Sequence, residues 1–395
     1  MPRSPQLDLA KTMRVVQVNL AWDARIVSPG ELLDRYHTLT GWSEALAGAG
    51  ALVHVVQRFS HDSVIERAGI AYELVADGQA PILPAWNTSE LVVDSCRRWA
   101  PDVVHVNGLI FPAAVRALRH VLPRAVIVVQ DHSGALPPRW WWPLDALARR
   151  RWRAALSCVD AATFTSRELA ARWHRAGLPV TARVLQIPEA STHLRPLERR
   201  EARARSGVQG SPALLWVGRL DGNKDPHTVL AALERVLPDV PGARVTMVVP
   251  EGSPRQEVSR RIATSAVLGS RVTIAGPVPH RDMPAYYSAA DVFVSGSHHE
   301  GSGYALIEAL ACGVVPCVTD IPAFRALAGD CGVRWRAGDT MACVEALRRV
   351  LSIDLESARA AVRRRFLEAL SWPAVAARTL HEYSALLGER RSVTG

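Results

Sequence analysis

Lysine is almost missing from this sequence: only Lys11 and Lys224 occur, against 45 arginines. A coding bias toward arginine accounts for the ratio without any function. It still makes Lys224 worth attention, because a compact ammonium and a planar guanidinium are not interchangeable at a site that reads geometry. No Asp-x-Asp occurs anywhere, so a carboxylate-held divalent metal is not indicated, and no cofactor is expected. Six cysteines, at positions 96, 158, 312, 317, 331 and 343, form no Cys-x-x-Cys pair and no metal-type spacing. That pattern points to reduced thiols and a cytosolic location. No uninterrupted apolar run approaches the ~20 residues of a membrane-spanning helix. The opening MPRSPQLDLAKT lacks the apolar core of a signal peptide and reads as a loose tail. Apolar residues at 48% and charged residues at 22% rule out disordered and collagen-like chains.

What is present is a long α/β alternation. At 395 residues the chain exceeds the size at which one core stops growing, so two domains are expected. Apolar, β-rich runs at 14–20, 52–57, 103–106, 125–130, 162–165 and 183–187 alternate with helical patterns near 31–49, 88–99, 111–122, 144–156 and 166–176. A second series runs 214–217, 244–249, 272–275, 292–294, 314–318 and 333–335. Continuous apolar strands separated by helices are the pattern of parallel sheets covered on both faces. The expected layout is a first Rossmann-like domain over 1–190, a linker over 191–212, a second domain over 213–370, and a C-terminal helix over 371–395 returning toward the first. The basic stretch 195–205 reads as a solvated linker helix. In doubly wound sheets ligands bind beyond the carboxyl ends of the strands, so two facing domains would make an interdomain cleft.

The run 290–319 carries the densest chemistry. It reads as a buried strand, a polar loop ending in Glu300, a Gly-Ser-Gly turn, a helix from about Tyr304, and a second strand. Glu300 and Glu308 lie a little over two helical turns apart at ~3.6 residues per turn. The backbone amides of Gly301, Ser302, Gly303 and Tyr304 form the positive end of that helix, a seat for a phosphate or sugar oxygen. The bland alternative is an amphipathic helix with two solvated glutamates, and a Glu-x7-Glu spacing alone would not displace it. The second piece is Trp216-Val217-Gly218-Arg219-Leu220-Asp221-Gly222-Asn223-Lys224-Asp225-Pro226, which ends one strand and opens a helix. Arg219 and Lys224 could converge there on a diphosphate, the first as a fork and the second as a point charge.

Together these motifs resemble the retaining GT-B glycosyltransferases of family 4, also called glycosyltransferase group 1, over almost the whole chain. Pro101 to Val106 and Cys158 to Ser166 are similar to first-domain segments of that family. The resemblance implies that Arg219 and Lys224 hold the leaving diphosphate and that Glu300 holds the hydroxyls of the transferred sugar. It also implies that Glu308 binds the nucleotide ribose, and that the Gly276-Pro277-Val278-Pro279 turn, with Val278, meets the base. Gly218 and residues 301–304 complete the nucleotide-sugar site. A first-domain histidine often meets the sugar in this family; His132, in Asp131-His132-Ser133-Gly134, is the match, with Asp131 the alternative in a register ambiguous by one. The Gly-Gly loop usual after the first strand is replaced here by residues 22–30.

The reading is a cytosolic, metal-independent retaining glycosyltransferase with a nucleotide-sugar donor and a glycan, lipid or small-molecule acceptor. Two alternatives stand beside it: a sugar-nucleotide epimerase or hydrolase of the same fold, and a non-catalytic sugar-nucleotide or nucleic-acid binding protein. The absence of an RNA motif counts against nucleic acid. A net charge of +9 suits anionic partners without choosing among them. Trp140, Trp141 and Trp142 followed by Arg149, Arg150, Arg151 and Arg153 suit peripheral contact with an anionic inner membrane face. They also suit an aromatic acceptor cleft, a single-stranded nucleic acid, or a lid packed on the first domain.

Overall fold

The computed structural model describes residues 12–132, 144–178 and 182–394. It divides into two compact units, Met1–Glu189 with Val375–Gly395, and Ala190–Ala374.

The first unit is built on eight strands: β1 (Arg14–Asn19), β2 (Leu52–Arg58), β3 (Ser63–Arg67), β4 (Ile70–Val75), β5 (Val103–Asn107), β6 (Val126–Gln130), β7 (Ala161–Phe164) and β8 (Arg183–Gln186). Their order is β3-β4-β2-β1-β5-β6-β7-β8. All neighbours pair in parallel except β3 and β4. Valines at 15, 16, 103, 104, 126 and 128 are fully buried, on both faces of the central strands, as a sheet covered on two sides requires. The β3–β4 hairpin is absent from the sequence-based expectation. Its outer strand, Ser-Val-Ile-Glu-Arg, is largely exposed and too polar to announce itself. Its two-residue turn, Ala68–Gly69, takes positive φ at both positions (51° and 74°), the handed turn a tight hairpin needs. The helix expected across 31–49 is two helices, Pro29–Arg35 and His37–Gly48, broken at Tyr36. There φ is −92° and ψ 65°, and the hydroxyl accepts the Asp23 N–H at 2.8 Å.

The end of the chain is part of this first core. Within the helix Trp372–Thr394, the fully buried Tyr383 meets His105 Nδ1 at 2.5 Å, Glu382 and Glu389 pair with Arg183, and Arg390 pairs with Asp160.

The second unit has six parallel strands: β9 (Ala213–Val217), β10 (Arg244–Val248), β11 (Val272–Ala275), β12 (Val292–Ser295), β13 (Val315–Thr319) and β14 (Val333–Trp335), in the order β11-β10-β9-β12-β13-β14. The chain winds outward from β9 to β11 and then returns to add β12 on the other side of β9. The switch point therefore lies between β9 and β12, the place in a doubly wound sheet where ligands are met beyond the carboxyl ends of the strands.

The 195–205 stretch, expected as a solvated linker helix, is instead docked on this unit. Arg199 and Arg203, four apart on the helix Arg199–Ser206, share one face and reach the buried Asp291, which also accepts the Ala213 N–H at 2.8 Å. Buried carboxylates persist when paired and hydrogen-bonded, so this one fixes the helix to the start of β9.

Candidate functional site

The loop after β9 is folded by its own polar groups. The Gly218 N–H donates to the Val248 carbonyl at 3.1 Å, and the Lys224 stem runs alongside it, 3.5 Å from where a Cβ would lie. The Asp221 carboxylate and carbonyl accept the Lys224 N–H at 3.0 and 3.1 Å, and the carbonyl also accepts the Asp225 N–H. Asp225, at φ +41°, caps the helix Pro226–Val236 by accepting the Thr228 N–H. Burial works against its charge, but bonds from Thr228 and His298 outweigh it and hold the carboxyl below its ordinary range.

Asn223 then fastens this loop to the one that follows β12. Its side chain donates to the His299 carbonyl and accepts the His299 N–H, both at 3.0 Å, while its own carbonyl accepts the His298 N–H at 2.8 Å. The approach is so close that a Cβ at Gly296 would lie 2.9 Å from the Asp225 carbonyl and 3.1 Å from that of Lys224. The roles of Asn223 and Gly296 are not legible in the sequence pattern; a glycine directly after β12 is the signal that points to a close backbone contact. The result is an ion pair between Lys224 Nζ and Glu300 Oε1, 76 residues apart, at the switch point. Arg219 is 72% exposed and lies 3.5 Å from Asp221, outside that pair.

The helix Tyr304–Ala311 starts from Gly303, at φ +67°, where any Cβ would meet Leu327 at 2.6 Å. Glycine is required there both for conformation and for space. Glu308, on the helix, is buried: its Oε1 lies 2.6 Å from His280 Nε2, and its Oε2 accepts the Tyr287 O–H at 2.9 Å. The picture of two solvated glutamates does not hold, since the Glu300 and Glu308 side chains are only 13% and 10% exposed. The bond to Glu308 raises the His280 pKa, against a smaller opposing effect of burial. Burial first, then the Glu308 charge, push the Tyr287 hydroxyl well above its usual range, so it stays a proton donor. No local pattern marks His280 or Tyr287 as partners of Glu308, 28 and 21 positions away. Val278, half-buried on the loop after β11, packs against the same core, and Gly301, Ser302 and Tyr304 stand between the two glutamates in the chain.

In the first unit, Asp131 and His132 follow β6 directly. Asp131 is buried and its N–H donates to Thr163 at 3.0 Å. The His132 ring is 39% exposed, and its Nδ1 lies 2.6 Å from the buried Glu189, a partner 57 positions away that no local pattern signals. Burial favours the neutral ring, but the charges of Glu189 and Asp131 and the bond to Glu189 outweigh it and raise the pKa. Behind it, His105 is clamped between Tyr383 and Gln130, and burial lowers its pKa to about 4, so it is neutral. Residues 133–143, including the tryptophans at 140–142, lie outside the described residues. Among the described residues no three His, Cys, Asp or Glu side chains gather as a metal site, and no helix is long and apolar enough to cross a membrane.

Residues 198–365 match the family model described as glycosyl transferases group 1, and residues 38–188 match that of glycosyltransferase family 4. The chain is 27% identical over 300 residues to the GDP-mannose:cellobiosyl-diphosphopolyprenol alpha-mannosyltransferase of Xanthomonas campestris, covering 74% of this chain and 76% of that protein. It is 27% identical over 332 residues to a glycogen synthase of Mycobacterium tuberculosis, covering 80% and 76%. Among solved structures, sucrose-phosphate synthase from Thermosynechococcus elongatus superposes with a TM-score of 0.70 at 21% identity, over 95% of this chain and 100% of that one.

Proposed function

Because this chain belongs to the group 1 glycosyltransferases of the GT-B fold, we propose that it moves a sugar from a nucleotide-sugar donor to an acceptor hydroxyl with retention of configuration and without a metal. The observation that carries the proposal is the Lys224–Glu300 pair, held at the switch point by two interlocked loops beside the start of the helix Tyr304–Ala311. An ammonium has three N–H donors, so pairing with Glu300 leaves Lys224 able to bind phosphate oxygens as well. Arg219 adds an exposed second cation. Cleaving the sugar–phosphate bond puts negative charge on the departing diphosphate, and fixed cations and helix-end amides at residues 301–304 stabilise that charge as it grows. These cations, in a sequence without Asp-x-Asp, would do the work of a divalent ion. Glu300 takes sugar hydroxyls, Glu308 the ribose, and the turn at Val278 the base. His132, fixed by Glu189, serves the sugar from the first unit. In the retaining step the acceptor attacks from the leaving-group face and its proton passes to the departing phosphate oxygen, so no protein nucleophile is needed.

One observation favours a lipid-borne acceptor. The helix Leu144–Leu156 exposes Leu144, Leu147 and Arg151, at positions i, i+3 and i+7 of one side, a face suited to an anionic bilayer. An acceptor carried on a polyprenyl diphosphate, as in the name of the Xanthomonas relative, would be met there.

The deciding experiment is a thermal-shift screen against UDP, GDP, ADP and dTDP and their sugars. A ligand at ~100 times its dissociation constant should add roughly 2.7 kcal/mol. The matched donor is then followed by NMR with candidate acceptors, with and without EDTA. Retained anomeric configuration and an unchanged rate in EDTA are expected. Donor turnover that needs no acceptor would identify the epimerase or hydrolase instead, and no stabilisation by any nucleotide would sink the reading.

A further inference from the structure

Glu308 does not stand alone. Its two carboxylate oxygens are divided between partners from two neighbouring segments: His280, on the turn His280–Asp282 that follows Pro279, and Tyr287, one turn into the helix Met283–Ala289. The partners differ in kind. Tyr287 is fully buried and its proton is fixed, so its bond is a permanent strut. The His280 ring is 46% exposed and titratable, so its bond depends on the solution.

We propose that His280 is a positioning residue for the nucleoside end of the donor: it braces the Glu308 carboxylate against Tyr287, leaving the remaining lone pairs aimed at a ribose. This rests on the donor-site reading above. Each carboxylate oxygen accepts two hydrogen bonds, so a carboxylate held by two protein donors retains two sites. Without His280 the Oε1 end could rotate about the side chain, and ribose binding would have to restore that order.

The other charged groups nearby do not compete for the role. Arg281 and Asp282, on the same turn, pair weakly with each other at 3.9 Å. Across the helix, Cys312 has its thiol pushed up to about 12, chiefly by burial, and is neutral. Arg359 and Arg363 are engaged by the backbone carbonyls of Ala290 and Ala311. His280 is therefore the titrating group placed on Glu308. Its charged form makes the stronger bond to the carboxylate. Because the bond to Glu308 raises its pKa, the brace is fully charged below the ordinary histidine range and weakens as pH rises through the raised value.

The test is calorimetric titration of UDP, GDP, ADP and inorganic pyrophosphate into the full chain from about pH 5 to about pH 9. Wild type, His280→Ala, His280→Gln and, as a control on the same turn, Arg281→Ala are compared. Wild-type affinity for the preferred nucleoside diphosphate should fall as pH rises. His280→Ala should lose roughly tenfold at the acid end and show no pH dependence there. His280→Gln, which keeps a neutral donor, should be intermediate and equally flat. Pyrophosphate, which has no ribose, should bind all four proteins alike. Nucleotide affinity and pH dependence unchanged in His280→Ala would overturn the inference, as would an equal loss for pyrophosphate, which would mark general damage to the site. If wild type binds pyrophosphate but no nucleotide, the donor-site reading falls and takes this inference with it.

Discussion

The two units place their functional side chains by different means. In the second, Lys224 and Glu300 are brought together by short loops whose own residues do the folding: Asp221 and Asn223 lie within three positions of Lys224, and Gly296 within four of Glu300. In the first, His132 depends on Glu189, and the core behind it depends on a bond between His105 and Tyr383, 278 positions apart. One site is written in motifs and the other in topology. Substitutions in the first kind should remove chemistry and leave the fold, whereas substitutions in the second should weaken the fold along with the site.

The largest effect is expected at Lys224. Lys224→Ala should lower turnover by roughly 10²–10³, the loss typical of a fixed donor to developing negative charge, with only a modest loss of thermal stability from the Glu300 carboxylate it leaves unpaired. Lys224→Arg should also be impaired, since a guanidinium cannot occupy an ammonium's place between Glu300 and a phosphate. Steady-state kinetics beside a melting curve would decide. Full activity in Lys224→Arg would mean that the lone lysine in this domain owes its survival to codon usage alone.

Tyr383→Phe is the counterpart in the first unit. It strands a nitrogen of the fully buried His105, and unfolding in denaturant should show a loss of about 1–3 kcal/mol. An unchanged midpoint would show that the long-range bond contributes nothing and would erase the contrast between the units.

The smallest effect concerns His132. Its pKa is raised, so its bond to Glu189 contributes fully below the ordinary histidine pKa and is lost as pH rises through the raised value. The ring is 39% exposed, so the contribution should stay below about 1 kcal/mol after solvent screening. Stability measured across that range in wild type and His132→Gln should differ in slope at the neutral side and converge at high pH. Parallel curves would remove His132 from the ionic pair.

The same division explains what the sequence discloses. Strands such as β6 and β9 are legible because both faces are buried and the apolar run is unbroken over at least four residues. The β3–β4 hairpin is not, because its outer strand is exposed and its turn uses alanine at a positive φ where asparagine would have announced it. Lys224, Glu300 and Glu308 stand out through spacing and type. Asn223, His280, Tyr287 and Glu189 do not, because each acts by facing a residue that only the folded sheet brings near. The docking of 195–205 is hidden for the same reason: a row of arginines looks solvated until the buried Asp291 is seen opposite.

The bond between His105 and Tyr383 also sets an order of events in time. The ribosome releases β5 early, yet the residue that completes its hydrogen bonding arrives only after the whole of Ala190–Ala374 has been made. At ~5–20 residues per second that interval is roughly 10–40 s. Throughout it His105 lacks its final partner, and the helix residues that pair with Arg183 and Asp160 are still to come. The second unit, continuous in sequence, can close its sheet as soon as β14 emerges. The half of the molecule that is synthesised first is thus the half whose last hydrogen bonds wait for the segment Val375–Gly395.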